Sequence, residues 1–211
     1  MSPGMVEAAR RRVPDATVVV DDAQTADVLA RAPGAAFDLV VSRFGVMFFP
    51  DPVAAFGNVR RAAAPGACLV FACWRDREAN PMFTIGTSVL EERLDPVPAP
   101  PAPGAPGPTS LADPDRLASV LGDAGWTSTE LAPLDVVLDY GTTGGDGVDA
   151  RLATVLAGST GLAARAQLEP RLGPEGWEAM LEEVRAELRR HLVAGAVRLP
   201  GATWLVAATN G

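Results

Sequence analysis

The chain has no lysine. All 18 of its basic residues are arginines, set against 26 acidic ones. The resulting formal charge of −8 argues against nucleic acid as a partner, because phosphate recognition needs a concentrated basic face. Histidine occurs once and cysteine twice. No Ser-His-Asp, Cys-His or metal-ligand set is expected from so few, and no metal site is read. His191 sits beside arginines at the edge of an apolar stripe and reads as a boundary histidine. Cys68 and Cys73 share the predicted strand "ACLVFACW" with opposite parity, so their side chains face opposite sides and a disulfide is not expected. No apolar run approaches membrane-spanning length and no signal peptide precedes the first helix. The chain therefore reads as cytoplasmic, with no membrane partner.

What is present is a globular composition: 48% of the 211 residues are hydrophobic, enough for a proper core in one domain. Ser2-Pro3 opens a predicted helix that ends near Arg10-Arg11-Arg12 and carries Met5, Val6 and Ala9 inward. Thr17–Val20 reads as a short β-branched strand ending at Asp21-Asp22. A helix over about Thr25–Arg31 leads to the stretch "FDLVVSRFGVMFFPDP", residues 37–52. Its first half shows no polar alternation, which predicts a strand buried on both faces of a parallel sheet. Asp51-Pro52 predicts a helix N-cap with proline at the first helical position. Ser42 to Phe49 then forms a loop at the carboxyl end of a strand, where ligands bind in open α/β sheets.

The helix from Asp51 runs to about Ala63 with Val53, Phe56 and Val59 at core spacing, and Cys68–Trp74 is the next strand. This αβαβαβ order predicts parallel pairing with right-handed crossovers. Seven prolines in the thirteen residues Pro96–Pro108 make a stiff connector, either a solvated linker or an arm closing over a substrate. A capped helix (Asp113-Pro114 to Ala124-Gly125), a strand over "WTSTELAPLDVVLDY", an amphipathic helix from Pro174 to about Ala194 with Trp177, Leu181, Val184, Leu188 and Leu192 on one stripe, and a last strand "ATWLVAAT" complete the chain. "TTGGDG" lacks a P-loop's lysine and reads as a loop or the start of a helix.

Taken in order, "SPGMVEAARRR", "DDAQTADV", residues 37–74, "NP" and "PGPTSLADPDRLASVLGDAGW" resemble the class I S-adenosylmethionine-dependent methyltransferases, in particular the small-molecule branch related to ubiquinone and menaquinone biosynthesis enzymes. The resemblance implies an α/β Rossmann-like methyltransferase sheet with strand order 3-2-1-4-5-7-6, its last strand antiparallel. It implies S-adenosyl-L-methionine as cofactor, a small-molecule methyl acceptor as partner and transferase activity. In this resemblance Asp22 occupies the place of the acidic residue that binds the adenine amine, and Ala23 that of the backbone N–H on the ring. Ser42, Arg43 and Phe44 stand beside the methionine part of the cofactor. Met47, Phe48 and Phe49 wall the pocket, while Trp74 and Asn80 face the substrate. For Phe48, Phe49 and Trp74 the competing reading is core packing; for Asp22 it is a helix cap. No general base is named, so the catalytic residue, the acceptor and the oligomeric state stay open.

One family feature has no counterpart. It is the segment of the first strand, first helix and second strand, with the glycine-rich loop after the first strand and the acidic residue after the second; all of these are missing, and the resemblance starts where the following helix begins. The expectation is a single truncated methyltransferase domain, with Met1 an internal methionine of a longer enzyme: a partial cofactor core over 1–95, the Pro-rich connector over 96–112, and remaining strands and helical substrate cover over 113–211. Most cofactor affinity is expected to be lost with the loop. The alternative is a non-catalytic subunit that binds a partner through its open sheet edge.

Overall fold

The structure is a computed structural model in which residues 3–31, 34, 36–99, 102–142 and 144–211 are described. The elements in chain order are α1 (Pro3–Arg12), α2 (Val28–Arg31), β1 (Phe37–Arg43), α3 (Pro52–Ala62), β2 (Ala63–Trp74), α4 (Ser88–Glu91), α5 (Pro114–Asp123), β3 (Trp126–Asp139), α6 (Val148–Ala157), α7 (Ser159–Arg189), β4 (Leu192–Val193) and β5 (Ala196–Asn210). Short 3-10 turns occupy Val46–Phe48 and Pro81–Phe83. The strand order is β1-β2-β5-β3, with β4 paired to β5. β1 and β2 are parallel, Leu39 opposite Cys68 and Arg43 opposite Ala72. β5 is antiparallel to β3: Thr127 Oγ1 donates to Thr209 O, whereas Tyr140 N donates to Val197 O. This is the 4-5-7-6 portion of the expected order, with the last strand reversed.

Two compact units divide the chain. Unit 1 is Met1–Cys73, Gly104–Pro133 and Trp204–Gly211; unit 2 is Trp74–Pro103 and Leu134–Thr203. In unit 1, α3 is started by the Asp51 side chain, which accepts from Ala54 N at 2.9 Å, with Pro52 at the first turn. Phe56 is 1% exposed and its ring lies 5.4 Å from that of Phe71 on β2. Trp126 Nε1 donates to Phe56 O at 3.1 Å, giving a buried indole its required partner. α5 carries the same cap, Asp113 to Arg116 N, and buries Leu117 and Leu121.

Unit 2 holds an apolar cluster in which Val148, Leu152 and Val155 of α6 join Trp177, Leu181, Val184 and Leu188 of α7. Gly173 (φ 68) breaks α7, so the expected helix from Pro174 is its second half. Leu192, expected on the same stripe, is 39% exposed in β4. The "TTGGDG" loop leads into α6, with Gly147 at its cap (φ 75); a Cβ there would sit 2.5 Å from the Tyr140 carbonyl carbon.

Four expectations are corrected. β1 is not buried on both faces: Leu39 is 56% and Val41 70% exposed, so the face they share is uncovered, and among the described residues β2 is the one strand paired with β1. Thr17–Val20 is not a strand, having no neighbouring strand to complete a ladder. Met5 faces solvent, at 72% exposure. The helix expected over Thr25–Arg31 is reduced to one turn, since Asp22 O and its side chain hold residues 24–26 in a tight turn.

Cys73 is buried and Cys68 exposed, as their opposite parity requires. Burial pushes the Cys73 thiol up to about 12 from 9.0. Folding therefore keeps a proton that the unfolded thiol loses, so this group's contribution to stability falls as pH rises from about 9 towards 12. We expect one thiol to react with a thiol reagent at pH 8 in the native protein and two in denaturant. Rapid labelling of both in the native state would contradict this packing.

Candidate functional site

The site residues in unit 1 are grouped by α3. Phe44, directly after β1, adopts a left-handed backbone (φ 58), which costs a non-glycine residue about 1–3 kcal/mol. Its N–H donates to Ala72 O at 3.0 Å, so the turn is tied to β2. At Gly45 an added Cβ would lie 3.2 Å from Ser42 Oγ, which leaves little room for a side chain. Val46 and Met47 then turn inward, while Phe48 is 53% exposed and Phe49 packs edge-on at 6.3 Å from the Phe56 ring. Core packing thus accounts for Phe49 but not for Phe48. Ser42 is half-buried and Arg43 exposed.

The connector reaches this loop. Met47 O accepts from Gly107 N at 3.0 Å and from Ser110 Oγ at 2.6 Å. The later part of the proline-rich stretch is therefore fastened to the floor of the loop. A freely solvated linker would not be.

Asp22 and Ala23 form the second wall. Asp22 Oδ1 accepts from Gln24 N at 2.9 Å, and Asp22 O accepts from Thr25 N and Ala26 N. The carboxylate is thus a turn-former within its own segment, on an exposed residue, and among the described residues its other oxygen makes no hydrogen bond. Among the described residues, no hydrogen bond is made by the Ala23 N–H. One free acceptor and one free donor on adjacent residues match the edge of a base that carries an amine beside a ring nitrogen.

Two residues not anticipated from the sequence hold this turn. Asn58 of α3, 7% exposed, donates to Ala23 O and Ala26 O at 2.8 Å each. Gln24 Oε1 accepts from Asp51 N at 3.1 Å. The turn therefore lies along the first two turns of α3, whose cap ends the Ser42–Phe49 loop. A sequence signal for Asn58 existed: it shares a buried stripe with Ala55 and Ala62, and a lone amide in an apolar stripe must find partners.

Trp74 and Asn80 belong to unit 2. Trp74 is buried, with its ring 6.0 Å from that of Phe83. Asn80 is fully buried; its amide donates to Asp76 O and Ala202 O and accepts from Ala202 N. Its hydrogen bonds are spent on the backbone of the fold. Among the described residues no group of three or more His, Cys, Asp or Glu is placed to hold a metal, and no helix is long and apolar enough to cross a membrane.

Comparison with known proteins places this geometry in a wider frame. Residues 1–71, the segment containing both walls, match a family model described as a methyltransferase domain. A candidate methyltransferase of Bacillus halodurans C-125 superposes over all of this chain and 80% of its own, at 14% identity and a TM-score of 0.52. The YcgJ protein of Bacillus subtilis covers 99% of this chain and 79% of its own, at 12% identity and a TM-score of 0.50. The fold is a Rossmann-like methyltransferase fold. No match is found among the curated proteins.

The Asp22 turn and the Ser42–Phe49 loop both hang on the start of α3. Replacing Asp51 by alanine removes its cap and is expected to cost about 1 kcal/mol of stability, read from chemical denaturation. An unchanged midpoint would show that the cap does not hold the helix.

Proposed function

We propose that this chain binds S-adenosyl-L-methionine and serves methyl transfer to a small-molecule acceptor. The observation that carries the reading is the Asp22–Ala23 pair: a carboxylate oxygen and an unbonded N–H, side by side, within the segment that matches the methyltransferase domain. A carboxylate accepts from the adenine amine, and the Ala23 N–H donates to the adjacent ring nitrogen. The residues present fit the adenine end of the cofactor.

The bound cofactor supplies an activated methyl group on a sulfonium, so the protein is not asked for strong chemistry. Its residues hold and orient. Ser42, Arg43 and Phe44, at the carboxyl end of β1, are proposed for the methionine end. The exposed Phe48 ring offers an apolar wall for the acceptor and excludes water there, with Phe49 fixing the loop behind it. For Trp74 the acceptor role rests on the resemblance, and Asn80 would shape its own turn rather than touch a ligand. Orientation of this kind can lower a transfer barrier by about 7–11 kcal/mol. The ubiquinone-related branch is our narrower assignment, supported by the order of motifs over residues 2–126.

A second reading is a non-catalytic subunit that adds a partner's strand to the free edge of β1, where Leu39 and Val41 are exposed. Titration of the chain with S-adenosylhomocysteine, followed by NMR so that weak binding is seen, separates the two. We expect shifts at Asp22, Ala23 and Ser42–Phe44, and about tenfold weaker binding by Asp22→Ala. No shifts at millimolar ligand would overturn the cofactor reading.

A further inference from the structure

The buried amide of Asn58 touches no part of the proposed ligand, yet it holds the Asp22 turn and its bonds leave it a single orientation. Both hydrogens of Nδ2 are donated, to Ala23 O and to Ala26 O, at 2.8 Å each. Oδ1 accepts from Arg61 NH2 at 2.5 Å. Turning the amide over would set its oxygen against two carbonyl oxygens and its hydrogens against a guanidinium, so every partner opposes the flip. The peptide between Ala23 and Gln24 is thereby held at its oxygen by Asn58 and at its N–H by the Asp22 side chain, while the Asp22–Ala23 peptide, which carries the Ala23 N–H, is held through Asp22 O, the acceptor for Thr25 N and Ala26 N. Gln24 adds a third anchor through Asp51 N.

We propose that Asn58 is a positioning residue that sets base selectivity: by gripping the Ala23 and Ala26 carbonyls it fixes the turn whose Thr25 and Ala26 N–H groups hold Asp22 O, and so aims the Ala23 N–H and the Asp22 carboxylate as a donor–acceptor pair that takes adenine and rejects a 6-keto purine. The inference rests on the cofactor reading given above. A 6-keto purine presents an N–H at N1 to the Ala23 N–H and an oxygen to the Asp22 carboxylate. Both contacts are then like against like, and a fixed turn cannot move away from them. Removing the clamp lets the turn rotate, and the discrimination is lost before the fold is. The polar groups of Asn58 are satisfied by the turn and by Arg61, so this helical residue is built for the turn rather than for the helix.

The test compares S-adenosylhomocysteine with its inosine counterpart, S-inosylhomocysteine, by NMR titration of the full chain and of three variants. Asn58→Ala removes the donations, Asn58→Asp removes them at the same size, and Gln24→Glu keeps its acceptor and serves as the conservative control. Amide hydrogen exchange of residues 24–26 and of α5 without ligand reports whether the turn alone has loosened. Wild type and Gln24→Glu are expected to prefer the adenine ligand by about tenfold or more. In both Asn58 variants the preference should fall towards unity, with faster exchange at 24–26 and unchanged exchange in α5. A merely structural Asn58 would weaken both ligands equally; an unchanged preference in the Asn58 variants overturns this inference and leaves the cofactor reading standing. A wild-type chain that binds neither ligand overturns the cofactor reading and this inference with it. Should the Asn58 variants fail to fold, Gln24→Leu, which removes one anchor from outside the core, must lower the preference, and no change there overturns the proposal.

Discussion

The anchoring of helix α3 is the constraint on which unit 1 depends. Its cap at Asp51 ends the loop that follows β1, its Phe56 packs on Phe71 of β2, and its Asn58 grips the turn after Asp22. Three kinds of interaction thus meet on the twelve residues from Asp51 to Ala62. A cap contributes about 1 kcal/mol and a buried phenylalanine about 1.5–3 kcal/mol. The amide matters differently. Removing it takes away two part-buried hydrogen bonds, to the Ala23 and Ala26 carbonyls, each worth about 1 kcal/mol net. Sheet, loop and turn are consequently fixed by one element, and a ligand seated on the loop and turn would meet two walls that share a support.

The edge position of β1 has a cost that the same arrangement contains only in part. Parallel pairing to β2 satisfies one side of the strand, while Leu39 and Val41 remain exposed. An apolar edge of this kind invites pairing with another chain. The charged residues along it, Asp38 and Arg43, are also exposed and oppose indiscriminate pairing. The left-handed Phe44 then turns the chain away at the end of the strand. Strain at that point lies where the proposed site begins.

Much of this was legible in the residues. Asp51-Pro52 and Asp113-Pro114 announce their helices because a carboxylate cap followed by proline suits few other conformations. The stripe from Trp177 to Leu188 gave the buried face of α7, and the strand order followed from a resemblance rather than from periodicity. The failures have a common physical cause. Leu39 to Val41 look the same whether a strand has two neighbours or one, and Thr17–Val20 look like a strand whether or not a partner exists. Burial belongs to tertiary context, which a local pattern does not carry. Asp22 was singled out as a cofactor contact or a helix cap, but neither the turn it forms nor that turn's supports were foreseen. Gln24 and Asn58 act across 27 and 32–35 residues of chain, and no local spacing joins them. The fastening of Gly107 and Ser110 to Met47 was hidden for the same reason.

The central claim is that the unbonded Ala23 N–H is the donor kept for a base. Amide hydrogen exchange at Ala23, measured with and without saturating S-adenosylhomocysteine, tests it directly. The account predicts fast exchange in the free protein and marked slowing with ligand, confined to Ala23 and the loop after β1. Ligand binding that leaves Ala23 exchange unchanged, while protecting other residues, would contradict it.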